Sequence, residues 1–224
     1  MLFMPLLPTL LLTTLAAAAP APDAVLDALA PRDTPLPPPS AFGLVAHAPG
    51  RVFDGARIAA KQGGLVLQTT NLDARCGPHS DQTRRFAAFT NKNTDSVYLW
   101  DPKTGSKRQQ LWCDVSGMGQ GVCQYTRDEE QARGLNKNRI TTTEFGFRGP
   151  GTEESPSELV WRGKTRWIAC PRDGKRGSKG PWSVRLAVGG GDNPGGNRNC
   201  RRFSARVVQL PGALGCHYTN RESG

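Results

Sequence analysis

The stretch Leu111–Tyr125, LWCDVSGMGQGVCQY, carries the clearest local structural signal in the chain. Two short apolar runs flank a polar centre that contains Gly117, Gly119 and Gly121. Glycine adopts positive φ and permits close backbone approach, so the centre is typical of a hairpin loop or a bulged corner. It lacks the Lys-Ser/Thr pair and the following helix of a phosphate-binding loop. The stretch therefore predicts β-structure.

The same stretch holds two further features with a structural explanation. Cys113 and Cys123 stand on the two arms, where cross-strand neighbours face each other, and they predict a disulfide within the hairpin. Asp114 and Ser116 resemble an acid beside a nucleophile, but a serine nucleophile needs a base. Short polar side chains in a tight turn ordinarily cap backbone N–H groups. We therefore interpret Asp114 and Ser116, with the three glycines, as turn residues.

Outward from this stretch, the chain alternates short apolar runs with turn residues. Runs of four to eight residues are punctuated by Gly, Pro or Asn, as in Phe42–Ala46, Ser96–Trp100 and Trp182–Val188. The polar segment Asp128–Arg139 has no apolar stripe, so we interpret it as a solvated loop with a helical turn. We predict one all-β domain over residues 41–224, a compact antiparallel barrel similar to a β-trefoil, with a two-sheet β-sandwich as the alternative.

The first forty residues differ in composition from the β domain and predict a signal peptide followed by a spacer. Residues 2–19 are apolar apart from three threonines and end in an alanine run, which predicts a secretory signal peptide over residues 1–18. The rival interpretation, a membrane anchor, is disfavoured because Pro5 and Pro8 interrupt a short segment. Residues 19–40 are rich in Pro and Ala and predict an extended spacer or short propeptide. We expect a secreted chain without stable membrane insertion.

Six cysteines agree with secretion, because an even number in an extracellular chain predicts disulfides. Zinc is the competing use of cysteine, but no C-x-x-C pair or His-x-His cluster is present. We expect no metal and no cofactor. The cysteines are Cys76, Cys113, Cys123, Cys170, Cys200 and Cys216.

The formal net charge of +10 points to anionic partners. An acidic or phosphorylated glycan or another anionic polymer is the expected partner, and nucleic acid only as a non-specific polyanion. A solvated surface that has no partner is the alternative. The candidate polyanion-binding residues are Arg162, Lys164, Arg166, Arg172, Lys175, Arg176, Lys179 and Arg185.

The five tryptophans and three histidines suggest further sites. Trp112 and Trp167 lie beside cysteines in apolar runs and are expected in the core. Trp161 and Trp182 border polar basic loops and are the candidates for stacking on sugar rings. A secreted nuclease would need His47, His79 or His217 to converge with Glu144 and Arg148, but nothing in the sequence shows convergence, so we expect no enzyme. A cationic effector or antimicrobial protein is the other alternative.

Several patches together resemble one family. The chain is similar to fungal secreted proteins of the PhiA cell-wall type, over most of residues 41–220. The matching patches are Phe42–Ala46, Asp114–Gly121 with Tyr125-Thr126, Trp167–Pro171, Trp182–Val184, Asn193–Asn197 with Cys200, and Cys216–Thr219.

The resemblance implies a non-enzymatic wall protein that functions in the development of phialides and conidia, with relatives that bind IgE. The chain departs from this family in its heavier Arg and Lys content and in Cys113 and Cys123, which replace apolar strand positions. Two extra cysteines on one hairpin can bond each other, which leaves the other four to pair among themselves in an order that the sequence leaves open.

Overall fold

The computed structural model describes residues 41–70, 73–76, 87–91, 95–101, 108–152, 154–189, 191–210 and 215–220. All of them belong to one compact unit, Asp33–Gly224. The predicted signal peptide, the predicted spacer and His79 lie outside the described residues. None of the helices in these ranges is long and apolar enough to cross a bilayer.

The described chain is almost entirely β-structure. One six-residue helix, α1 (Glu129–Gly134), begins at the N-cap Asp128 and buries none of its residues, and one 3₁₀ turn covers Pro194–Gly196. The strands are β1 (Phe42–His47), β2 (Ala59–Lys61), β3 (Gly64–Leu67), β4 (Ala74–Cys76), β5 (Phe89–Asn91), β6 (Val97–Leu99), β7 (Leu111–Asp114), β8 (Cys123–Tyr125), β9 (Ile140–Thr141), β10 (Phe145–Arg148), β11 (Glu158–Trp161), β12 (Trp167–Pro171), β13 (Trp182–Leu186), β14 (Arg201–Gln209) and β15 (Cys216–Tyr218).

Thirteen of these strands form one antiparallel sheet with the order β6-β5-β1-β14-β12-β13-β3-β8-β7-β9. The sheet branches at the long strand β14, which also pairs with β11 of the β10–β11 hairpin, and β2 extends β3. The remaining two strands, β4 and β15, form a separate small sheet. The all-β prediction is confirmed.

The structure does not show the closed, β-trefoil-like barrel that was predicted. In the described ranges the strand path ends at β6 on one side and β9 on the other, and no closed barrel is found. A barrel needs its first and last strands to pair, and strand length and spacing carry no information about that long-range pairing. The strands are thus as predicted, whereas the predicted closed barrel is not found: β6 meets the chain before β7 at an isolated bridge, Tyr98–Gln110.

The core follows from alternation along the strands. In β13, Trp182, Val184 and Leu186 point inward, while Ser183 and Arg185 lie on the opposite face. Trp167 is fully buried, as predicted, and its indole N–H donates to the carbonyl of Leu159 at 2.7 Å. A small second cluster lies on the other side of the sheet and consists of Ile168, Cys170, Ala187 and Cys200.

Three disulfides join cysteines of the described chain. The bond predicted between Cys113 and Cys123 is present and crosses the β7–β8 hairpin, where the two residues are register partners. The remaining four cysteines form Cys76–Cys216, across the β4–β15 pair, and Cys170–Cys200, in the second cluster.

Buried polar groups join the small sheet to the large one. The Tyr218 hydroxyl accepts a hydrogen bond from the Ala88 N–H at 3.1 Å, and burial raises the pKa of Tyr218 to about 12. The Gln109 side chain donates to the Tyr218 carbonyl at 2.7 Å and accepts from its N–H at 2.8 Å. The buried polar groups of Gln109 and Tyr218 named here thus have partners, as burial in an apolar interior requires.

Candidate functional site

The turn within Leu111–Tyr125 is held by its own short polar side chains. The Asp114 carboxylate accepts hydrogen bonds from the backbone N–H and the hydroxyl of Ser116, and the Ser116 hydroxyl accepts from the Gly119 N–H. The backbone closes the turn as well, because the Gly121 N–H donates to the Asp114 carbonyl at 2.8 Å. Both polar side chains form hydrogen bonds within the turn, as predicted from the sequence.

Two of the turn's glycines are sites of close approach. A Cβ atom at Gly119 would lie 1.6 Å from the Asp114 carboxylate carbon, and one at Gly121 would lie 1.8 Å from the Leu186 carbonyl oxygen. Gly121 also has φ +73°, whereas Gly117 meets nothing within 4 Å. The backbone of the turn at Gly121 therefore packs directly against the backbone of β13 at Leu186, with no side chain between them.

The turn also meets the second glycine-rich segment of the chain. A Cβ atom at Gly195, in the 3₁₀ turn, would lie 1.1 Å from the Gln120 side-chain oxygen. Gln120 itself has φ +56°, which points its side chain toward that segment at a backbone cost. Two patches that carry the family resemblance, DVSGMGQG and NPGGN, are thus one packing unit.

The eight candidate cations do not form a single cluster, because strand β12 runs through the middle of the set. Three precede β12, in what we call the β11–β12 turn group: Arg162, Lys164 and Arg166. Four follow it, in what we call the β12–β13 loop group: Arg172, Lys175, Arg176 and Lys179. The two groups lie at opposite ends of a five-residue strand, which is about 15 Å long at the usual rise per residue. The structure thus places these candidate residues in two groups, and whether they bind a polyanion stays a prediction.

The β11–β12 turn group is largely occupied by contacts within the protein. The Arg162 guanidinium pairs with Glu144 at 2.8 Å and lies over the Trp161 ring at 4.4 Å. Arg166 lies over the same ring at 5.8 Å. A cation held over an aromatic face is stabilised by the ring quadrupole. This group is therefore poorly available to a partner.

Another ionic contact lies close to this turn. The Arg148 guanidinium contacts Glu158 at 2.9 Å and donates to the Thr165 hydroxyl, which in turn donates to Glu158 at 3.0 Å. Burial by itself would raise the pKa of Glu158, but the hydrogen bonds from Arg148, Ser204 and Thr165 together lower it. These contacts fix the β10–β11 hairpin to the turn.

The β12–β13 loop group is exposed. All four of its side chains reach solvent, and none makes an ion pair with any other residue in the described ranges. The acid within the loop itself, Asp173, accepts a hydrogen bond from the Lys175 backbone N–H at 3.0 Å.

The backbone of this loop is anchored. Its Gly174 carbonyl accepts from the Asn199 side chain at 2.9 Å, and the Arg172 N–H donates to the Pro181 carbonyl at 3.1 Å. The loop thus presents its cations from a defined backbone.

The predicted surface positions of Trp161 and Trp182 are wrong. Trp161 is 2% exposed and Trp182 is 4% exposed, so neither ring offers a face to a sugar. Trp182 packs on Phe53 with ring centroids 5.0 Å apart, and its indole N–H donates to Gln68. The polarity of a neighbouring loop does not set the direction of a strand side chain, which follows from the period of two.

Trp112 also differs from its prediction. It was expected in the core, but it is half-buried and alternates with the buried residues Leu111 and Cys113. Its register partner is Gln124 on β8. Residues opposite each other in an antiparallel pair share a face, so Trp112 and Gln124 lie on the face away from the core.

That outer face contains a cleft of about 370 Å³. The cleft opens beside Gly64, the first residue of β3. At this point Val122, the residue before β8, forms an isolated bridge with Arg185 of β13. The residues that give the cleft its chemistry are two arginines, three amides and one glycine: Arg172, Arg185, Gln62, Gln124, Asn197 and Gly64. No carboxylate from the described part of the chain lines it.

Arg185 is the most unusual charge in this cleft. It is half-buried, and its Nε atom is fully shielded from solvent without a hydrogen-bond partner among the described residues. Burial lowers the pKa of the Arg185 guanidinium. A shielded donor without an acceptor is costly, and it is one of the few such atoms in the described chain.

The acid–base residues form separate pairs, although His47 lines a cleft of about 400 Å³ with Thr165 and Ser204, whose hydroxyls contact Glu158. His47 approaches Asp54 at 3.6 Å at the end of β1, and His217 lies on β15 opposite Arg75. Glu144 pairs with Arg162, as given above, and Arg148 pairs with Glu158. Within the described ranges, no group of three or more His, Cys, Asp or Glu residues is placed to hold a metal ion.

Sequence reasoning missed the cleft, apart from its two arginines. Its amides come from three separate segments of the chain, and no sequence pattern relates those segments to one another. One signal was available, because a glycine such as Gly64 inside a strand often marks the close approach of a ligand or another backbone.

Comparison with known proteins adds three findings. Residues 42–219 match the family model described as PhiA-like secreted protein. The chain is 31% identical to the cell wall protein phiA of Emericella nidulans, over 88% of this chain and 97% of that protein. It is 30% identical to the cell wall protein phiA of Aspergillus niger, over 80% of this chain and 85% of that protein. No solved structure matches the chain.

Proposed function

Because this chain belongs to the PhiA-like family of secreted proteins, we propose that it acts as a structural protein of the fungal cell wall, held there by ionic contacts with acidic polysaccharide. Membership of the family makes the chain a secreted wall protein, and three disulfides stabilise it. The contact with polysaccharide is the proposal.

The β12–β13 loop group is the observation that carries it. Four cations stand on an anchored loop, exposed and without an internal counterion among the described residues. A surface cation that already has a carboxylate beside it brings less net charge to a polyanion than an unpaired cation does. Unpaired cations are attracted to a polyanion directly and displace its bound counterions. The net charge of +10 adds a long-range attraction of the same sign.

We also propose that the role is structural and not catalytic. The curated relatives are named as cell wall proteins. In the described ranges His47, Glu144 and Arg148 each pair at a different place, which supports the proposal because acid–base catalysis needs groups that converge on one substrate. The family resemblance extends the proposal to the development of phialides and conidia, which a deletion strain would test by its conidial yield and morphology.

Alanine at Lys175, Arg176 and Lys179 together is expected to weaken retention on an anionic polymer such as heparin. Each cation that contacts the polymer contributes about one to the slope of log affinity against log salt, so the slope should fall by about two to three. Elution from immobilised heparin over a salt series measures it.

The matched control is the triple alanine variant at Arg133, Lys137 and Arg139. These residues are exposed and far along the chain from the loop, and the variant loses the same three charges. It should keep most of the slope. Equal loss in both triple variants would assign retention to overall charge and contradict the assignment to the loop.

A further inference from the structure

The cleft around Arg185 is concave, whereas the β12–β13 loop group lies on an exposed loop. Its volume of about 370 Å³ falls at the lower end of the range typical of small-ligand sites, about 300–1,000 Å³. Its lining combines guanidinium groups with side-chain amides and lacks acids among the described residues. Such a site suits a ligand with one negative group and several hydroxyls.

The state of Arg185 points to the negative group. Its Nε donor is shielded from water and has no acceptor in the described chain, and no carboxylate there pairs with it. Arginine presents its donors in a planar fork that matches the two oxygens of a carboxylate or phosphate. Because a donor that is closed to water is closed to a ligand as well, an oxyanion in the cleft would pair with the part of the Arg185 guanidinium that lines the cleft, and that guanidinium has no counterion among the described residues.

The floor of the cleft is open because position 64 is glycine. A Cβ atom there would make only ordinary contacts, 3.8 Å from the Lys61 carbonyl oxygen and 3.9 Å from the Cys123 carbonyl oxygen, and φ is not in the left-handed region. The backbone therefore does not require glycine at this position. Gly64 pairs with Gln124, so a side chain at position 64 would project on the same face as Gln124 and fill the cleft.

We propose that this cleft binds a single acidic sugar residue, with Arg185 on its carboxylate or phosphate and the amides of Gln62, Gln124 and Asn197 on its hydroxyls. Arg172, at the rim, belongs both to the cleft and to the β12–β13 loop group. The inference rests on the proposed function and narrows it: the loop attracts the polymer through charge, and the cleft recognises one unit of it. The two sources of the oxyanion are a uronic acid and a sugar phosphate.

The test measures binding of short ligands by calorimetry to the full secreted chain. The probes are a glucuronic acid oligosaccharide, mannose 6-phosphate and a neutral glucose oligosaccharide. The neutral sugar should bind at least about tenfold more weakly than the better acidic probe, because a charge-assisted bond to Arg185 would be missing. The stronger of the two acidic probes identifies the source.

Two variants alter the cleft, one by its charge and one by its volume. Arg185→Gln removes the charge, and Gly64→Leu fills the space while Arg185 remains. Each should weaken the acidic probe at least about tenfold, whereas Arg133→Gln, an exposed charge outside both the loop and the cleft, should stay within about twofold. Thermal midpoints close to the wild type would show that both variants are folded, and Gly64→Leu keeps the test valid if Arg185→Gln is unstable.

The outcomes separate the two proposals. Unchanged binding in folded Gly64→Leu, or equal binding of neutral and acidic probes, would overturn the cleft assignment. Retention on heparin in the same variants reports the loop alone and should change little. If heparin retention is intact while the acidic probe does not bind, the cleft proposal fails and the proposed function stands.

Discussion

Replacing Gly121 by alanine is expected to lower the free energy of unfolding by about 3 kcal/mol, the largest effect of any single substitution in the turn. The left-handed backbone costs a residue with a Cβ atom about 1–2 kcal/mol, and overpacking costs a further 1–3 kcal/mol. The Cβ atom would overlap the Leu186 carbonyl oxygen at 1.8 Å, and φ is +73°. β13 would have to move away from the β7–β8 hairpin, which would break the hydrogen bond from the Leu186 N–H to the Gly121 carbonyl.

Thermal unfolding followed by circular dichroism measures this effect, which for a domain of this size corresponds to a midpoint lower by about 6–12 °C. Gly117→Ala is the matched control in the same turn, because a Cβ atom there meets nothing within 4 Å and φ is not left-handed. The control should change stability by no more than about 0.5 kcal/mol. Equal midpoints for the two alanine variants would contradict the packing described for this turn.

Replacing Cys76 and Cys216 together by serine is expected to cost about 5 kcal/mol. The bond closes a loop of 140 residues, and the entropy of the unfolded chain that a disulfide removes grows with loop length. The bond also covalently links the two strands of the small sheet, where Cys76 and Cys216 are register partners. Denaturant unfolding of the variant under non-reducing conditions measures the loss.

The other two disulfides provide graded controls. Removal of Cys170–Cys200, with a separation of 30, should cost about 4 kcal/mol, and removal of Cys113–Cys123, with a separation of 10, about 3 kcal/mol. The expected order of destabilisation is therefore the order of loop length. A larger loss from the hairpin bond than from the 140-residue bond would show that local strain or residual structure dominates these bonds.

Local features of the fold were predictable from the sequence, because they depend on neighbouring residues. The strands were marked by regular turn residues, and the Cys113–Cys123 bond follows from two cysteines on the arms of one hairpin. The Cys76–Cys216 bond did not follow, because nothing local relates residues that are 140 positions apart.

Errors at the site have equally specific causes. Trp182 was placed at the surface on account of its polar neighbours, although the alternation Trp182, Val184, Leu186 already predicted an inward direction. The division of the basic residues into two groups was within reach as well, because the apolar run Trp167–Cys170 stands between them in the sequence. The cleft was not, since Gly64, Gln124, Arg185 and Asn197 meet only through the sheet order.

Elution of the purified chain from isolated fungal cell walls tests the central claim most directly. Retention through exposed cations predicts binding at low salt and progressive release between about 0.1 and 1 M salt, as the screening length falls from about 10 Å to about 3 Å. The triple alanine variant at Lys175, Arg176 and Lys179 should be released at lower salt than the wild type. No binding to walls at low salt, or retention that is the same at both ends of the series, would contradict the claim.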